Sequence, residues 1–257
     1  MSSFTLRRCW ISSVSIIAIA LSACVSSVRN DAQPEHTEFH ASTKAATLGF
    51  ADDRLFGRRA IAANELGPMP RWQSVMVRFS GQKRSADCGE SACPAQVWRK
   101  LIDEIRVLPL RDRAERVNKF FNRAPYVPAE FNWHDLSHWE TPYELLARGG
   151  QCEDYAIAKY RALRESGVPD DLLRFVVVHD NLSNLDHALT VVNVDNIQLA
   201  LDNQFARITP AWELQKRYDP YYALNDHGWS AYVPAAELEV ASVPPPSFQP
   251  AFRVAPY

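Results

Sequence analysis

Apolar positions along the chain follow two periods, first helical and then strand-like. "PAQVWRKLIDEIRVLP" sets Val97, Trp98, Leu101, Ile102 and Ile105 on one helical stripe, and Pro109 closes it. "RDRAERVNKFFNRAPY" repeats the stripe with Ala114, Val117, Phe120 and Phe121. "TPYELLARGG" predicts a short helix, with Thr141 as its cap and Pro142 in the first position, where a missing N–H costs nothing. Gly149 and Gly150 end it. "CEDYAIAKYRALRESGVP" predicts a longer helix, stopped by Gly167 and Pro169. The period then changes. The β-branched run in "LLRFVVVHD" predicts a buried strand. After the turn "DNLSNLD", "HALTVVNV" predicts a second strand, and "DN" turns it into a third, "IQLALDN". Upstream, "LGFADDRLFGRRAIAANELGPMPRWQSVMVRF" is weakly patterned, and "WQSVMVRF" fits either a short strand or a helix. There is no internal repeat.

The two ends are of a different kind. "MSSFTLRRCWISSVSIIAIALSAC" has a basic start (Arg7, Arg8), an apolar run from Trp10 to Leu21, and the small residues Ser22 and Ala23. That is the pattern of a secretory signal peptide, too short for a membrane span. Its end, "LSAC", resembles a bacterial lipobox, in which Cys24 would carry lipid and begin the mature chain. An ordinary signal peptide or an uncleaved anchor is the alternative. Val25 is not an aspartate, so the usual inner-membrane retention signal is missing. In a Gram-negative bacterium the expected product is an outer-membrane lipoprotein facing the periplasm. The expected organisation is a signal at 1–23, a polar tether at 24–47, a domain at 48–235 and a Pro-rich tail at 236–257.

The export signal changes the reading of the five cysteines. Cys9 leaves with the signal, and Cys24 is the lipid site. Cys88 and Cys93 sit in the loop "DCGESACP", where an oxidising compartment favours a local disulfide. A structural zinc site would need two further ligands, and none stands nearby. Cys152 is left over. The formal charge of −2 gives no basic excess, and no reason to expect nucleic acid. The hydrophobic content of 47% is that of a globular protein with a core.

Cys152 opens the predicted helix, where unpaired N–H groups favour a thiolate and are placed to bind an oxyanion. Glu153 and Asp154 work against that by raising a thiol pKa. They must face away or bind a cation, unless they are simply first-turn acids that complement the helix dipole. A cysteine nucleophile needs a base, and the base an orienting group. His187 begins the second predicted strand and Asp202 follows the third, so adjacent antiparallel strands can bring them together. His134 and His138 in "HDLSH" have helical metal-ligand spacing but no third ligand. Trp139 and the aromatic cluster "YYALNDHGW" read as packing residues, and Lys159 and Arg161 as solvated helix positions.

"GGQCEDYAIAKYRALRESGVPDDLLRFVVVHD", "DHALTVV" and "LALDN" resemble the bacterial transglutaminase-like cysteine proteinases, among them the LapG-type periplasmic proteases that release large surface adhesins. "VNKFFNRAPYV", "HWETPYELLARGG" and "YDPYYALNDHGWSAYV" fit the same family, so the resemblance spans roughly residues 70–233. It implies an α+β, papain-like or transglutaminase-like fold, its nucleophile at a helix N-terminus packed on an antiparallel sheet. It implies a triad of Cys152 as nucleophile, His187 as base and then acid, and Asp202 as orienting group. It further implies calcium bound by carboxylates around the nucleophile. Glu153 and Asp154 match that pattern, whereas Gln151 replaces its first aspartate. The implied partners are a protein substrate, with an exported adhesin leading, and an inner-membrane cyclic-di-GMP receptor. The rival readings are a cell-wall peptide amidase or acyltransferase on the same triad, and a non-enzymatic envelope binding module.

Overall fold

In the computed structural model, residues 54–63, 69–85 and 93–233 are described. The signal, Cys24, the tether, Cys88 and the tail lie outside the described residues. A hairpin, β1 (Arg54–Leu55) and β2 (Arg58–Ala63), turns through Phe56 and Gly57, both at positive φ. Helices follow: α1 (Pro70–Ser85), α2 (Pro94–Ile105), α3 (Leu110–Phe121), α4 (Ala129–Trp133), α5 (Pro142–Arg148) and α6 (Cys152–Glu165). The strands β3 (Leu173–Asp180), β4 (Leu185–Val194), β5 (Ile197–Leu201), β6 (Thr209–Pro210), β7 (Tyr218–Leu224) and β8 (Trp229–Val233) complete the described chain. The fold is the expected α+β arrangement.

"WQSVMVRF" is helical. Trp72, Val75 and Phe79 recur at three and four residues and are all buried, which is the spacing of one helix face. The caps of α5 also follow the sequence. Thr141 Oγ1 accepts from the Glu144 N–H at 3.2 Å, and the Glu144 carboxylate takes the Thr141 N–H at 2.8 Å, a reciprocal capping box.

Among the described residues the strands form one sheet in the order β1-β2-β8-β7-β3-β4-β5-β6, every pair antiparallel. β3 lies inside it, paired with β4 on one side and β7 on the other. Successive β3 residues serve opposite faces. Phe175 and Val177 join Trp72, Trp98 and Ile157 in the core under the helices. Val176 and Val178 join Phe56, Val191 and Tyr218 in a second core on the far face. Burial on both faces is why "FVVV" is a continuous apolar run. Each such side chain contributes about 1.5–3 kcal/mol over its exposed state.

α6 packs on β4. The Thr190 hydroxyl donates to the Ala156 carbonyl at 2.6 Å, a helix-to-strand bond that the small Ala156 side chain permits. This contact fixes the first half of α6 against the middle of β4.

Candidate active site

The turn into α6 is built by close approach. Gly149 has φ 78° and ψ −179°, a region open essentially to glycine alone. A Cβ there would stand 2.3 Å from the Pro125 carbonyl oxygen. The Gly150 N–H donates to that carbonyl at 3.2 Å, and Val127 N–H donates to the Gly150 carbonyl at 2.9 Å. The segment at 125–127 is thus laced to the turn that delivers Cys152.

Cys152 is the first residue of α6 and is half-buried. Its thiol donates to Glu153 Oε2 at 3.2 Å. Burial, then the charge of Glu153, push the thiol pKa well up. The backbone N–H of Ala188 acts the other way by bonding the sulfur. Ala188 follows His187 on β4, so the sulfur lies at the end of the strand that carries the histidine.

The predicted histidine and aspartate are brought together. His187 Nε2 and Asp202 Oδ1 are 2.9 Å apart, and both side chains are buried. Asp202 follows the last residue of β5, beside β4 in the sheet. Burial by itself would raise the Asp202 carboxyl. Bonds from His187, from the Tyr218 hydroxyl to Oδ2 at 2.5 Å and from the Gln204 N–H to Oδ1 at 2.8 Å outweigh it and hold the pKa at about 2. The Tyr218 ring also lies 5.8 Å from the imidazole. With Nε2 committed to Asp202, Nδ1 is the ring nitrogen left for proton exchange.

Glu153 and Asp154 do not face solvent. Both are buried, together with Glu140. Asp154 spends one oxygen on the Glu140 N–H at 2.7 Å and the other on the Gln151 N–H at 2.8 Å. Gln151 Nε2 donates to Glu153 Oε1, so the residue in the aspartate position supplies a donor in place of a charge. Glu140 Oε1 accepts from Asn132 at 2.9 Å and Trp133 at 2.6 Å. Glu140 Oε2 is buried without a hydrogen-bond partner. Burial first, then the neighbouring carboxylates, push Asp154 well above the usual carboxylate range, and burial raises Glu140 and Glu153. Among the described residues, no three His, Cys, Asp or Glu side chains already converge as a metal cage.

Three further residues were not legible as parts of this site. Tyr218 and Glu140 lie in segments that fit the family, but only their contacts reveal their part in the site. Lys159, expected to be solvated, is fully buried. The packing roles expected of Trp139 and of the aromatic cluster hold: Trp139 lies 5.3 Å from Phe175, and the cluster forms β7 and β8. His134 caps α4 in the left-handed region, and His138 stacks on Trp133. Cys93 immediately precedes α2, whereas its expected partner Cys88 lies outside the described residues, as does Cys24.

Comparison with known proteins gives a family and related structures. The sequence model for the bacterial transglutaminase-like cysteine proteinases, BTLCP, matches residues 78–228. The calcium-bound structure of Legionella pneumophila LapG is similar at 26% identity and a TM-score of 0.48, covering 62% of this chain and 86% of that one. Its EGTA-treated structure is similar at 27% identity and a TM-score of 0.51, with the same coverage. No curated protein sequence matches significantly.

Proposed function

From the chain's membership of the bacterial transglutaminase-like cysteine proteinase family, which makes it a cysteine peptidase acting on protein, we propose that Cys152, His187 and Asp202 perform the hydrolysis. The observation that carries this reading is the buried His187–Asp202 pair, beside the strand residue whose N–H meets the Cys152 sulfur. Cys152 Sγ attacks the scissile carbonyl carbon while its proton passes to His187 Nδ1. The negative oxygen that forms is met by the N–H groups at the start of α6. His187 then gives its proton to the leaving amine, and a thioester remains. Water, deprotonated by His187, cleaves the thioester and restores the thiol. Asp202 keeps the ring oriented and stabilises the imidazolium.

Calcium belongs to the same proposal. Glu140, Glu153 and Asp154 supply the hard oxygen donors that calcium prefers, and the partnerless Glu140 Oε2 gives the cluster an open valence. These residues would hold the ion, and it would offset the negative charge packed beside the thiol. In the same reading Cys24 carries a lipid that tethers the enzyme to the outer membrane on its periplasmic side. The substrate would be a large exported adhesin, and the regulator an inner-membrane cyclic-di-GMP receptor. The family resemblance supports both, and "LSAC" supports the anchor.

The test is incubation of the wild-type chain and Cys152→Ala with envelope proteins, read by mass spectrometry. New protein N termini made by the wild type alone are expected. Equal cleavage by Cys152→Ala would remove Cys152 as nucleophile. Modified amines in place of new termini would turn the reading to acyl transfer.

A further inference from the structure

Lys159 lies on α6, seven residues beyond Cys152, with its side chain fully buried. Its Nζ donates to Asn118 Oδ1 on α3 at 2.9 Å and to the carbonyl of Leu201 at 3.4 Å. Leu201 ends β5 and directly precedes Asp202. Asn118 in turn donates its amide to the Phe205 carbonyl at 3.2 Å. Asn122, which caps α3, donates to the carbonyls of Asp202 and Phe205, each at 2.9 Å. Three side chains therefore tie down both ends of the segment 201–205. That segment carries Asp202, and it supplies the Gln204 N–H that bonds the Asp202 carboxylate. Arg217 closes the other side, lying 4.9 Å over the Phe205 ring and bonding Gln204 Oε1.

A buried ammonium whose hydrogen-bond acceptors are neutral is costly. An apolar side chain of the same length would fill this space without that cost. What the ammonium adds is a donor aimed at the backbone beside Asp202 and a positive charge in its field. The titratable groups around it are the Tyr155 ring, 5.9 Å away on the same helix, and Asp202, with His187 and Tyr218 beyond. Burial lowers the lysine pKa to about 7, with the charge of Asp202 opposing the fall.

We propose that Lys159 is a positioning residue of the peptidase. Together with Asn118 it clamps the backbone ahead of Asp202 and sets that carboxylate against His187. This rests on the reading of Cys152, His187 and Asp202 as the catalytic group. A clamp of this kind acts on geometry, and small displacements of an orienting group are expensive in rate.

The test uses the full chain and two readouts. One is the downfield proton resonance of the His187 Nε2–H bonded to Asp202, assigned by its loss in His187→Ala. The other is the rate at which the new N termini appear in envelope protein. Lys159→Met is expected to lose or shift that resonance with the fold intact by circular dichroism, and to slow cleavage about 10- to 100-fold. Asn118→Ala, which removes the lysine's partner and the bond to Phe205, is expected to do the same and serves if Lys159→Met does not fold. A folded variant with an unchanged resonance and unchanged cleavage would overturn the proposal and leave Lys159 a packing residue. Full cleavage by His187→Ala would instead overturn the catalytic reading on which it rests.

Discussion

Tyr218→Phe isolates the support of Asp202, because it removes one hydroxyl and leaves Cys152, His187 and the ring packing in place. That hydroxyl donates to the buried carboxylate at 2.5 Å. A hydrogen bond to a charged group contributes about 1.5–3 kcal/mol, so its loss should lift the Asp202 pKa by about 1–2 units at 1.36 kcal/mol per unit. The wild-type value of about 2 would then approach the ordinary carboxylate value. A carboxylate whose folded pKa is depressed contributes stability above the unfolded pKa, and loses it as pH falls through the folded value. The wild-type contribution is therefore complete above about pH 5 and gone near pH 1–2, whereas the variant has little to lose there. The gap between the two proteins should be about 1.5–3 kcal/mol at pH 7 and shrink to about half to three-quarters of that by pH 3. Urea unfolding at pH 7, 5, 4 and 3 measures it. A gap that is absent at pH 7, or unchanged at pH 3, would refute the assignment of that hydroxyl to an ionised Asp202.

Gly149→Ala should cost more than about 3 kcal/mol, because it adds backbone strain to a collision with Pro125; a melting curve within a degree of wild type would contradict the close approach. Calcium at about 100 times its dissociation constant should add ~2.7 kcal/mol to stability over the same protein in EGTA. Glu140→Gln should remove most of that gain, and superimposable unfolding curves with and without calcium would reject the ion. Cys24→Ala should move the protein from the membrane to the soluble fraction, and a variant that stays behind with unaltered processing would contradict the lipobox.

The parts of the site fixed by local pattern were legible in the sequence. Cys152 follows two glycines at a helix start, and His187 and Asp202 flank a hairpin whose register is set by its own turn. What escaped was whatever depends on packing between distant segments. "RRAIAA" reads weakly because β2 pairs with β8, more than 160 residues later. Tyr218 reaches Asp202 only because β7 lies beside β3, a pairing no local period announces. Lys159 misled for another reason, and the burial of Glu153 and Asp154 has the same cause. α6 is covered on nearly every side by α3, α5 and the sheet, so a polar position on it does not mark a solvent face.

The strand order also has a consequence in time. β7 and β8 are the last described strands to leave the ribosome, yet they separate the first hairpin from β3. Until they are in place the sheet has a gap, β3 has an open edge, and Asp202 lacks its tyrosine. Such late, long-range pairing makes folding slow. It also means that a nascent or clipped chain ending before Tyr218 carries the cysteine, the histidine and the aspartate but not the wall that holds them. On the catalytic reading proposed above, the site is therefore complete only once β7 and β8 have joined the sheet.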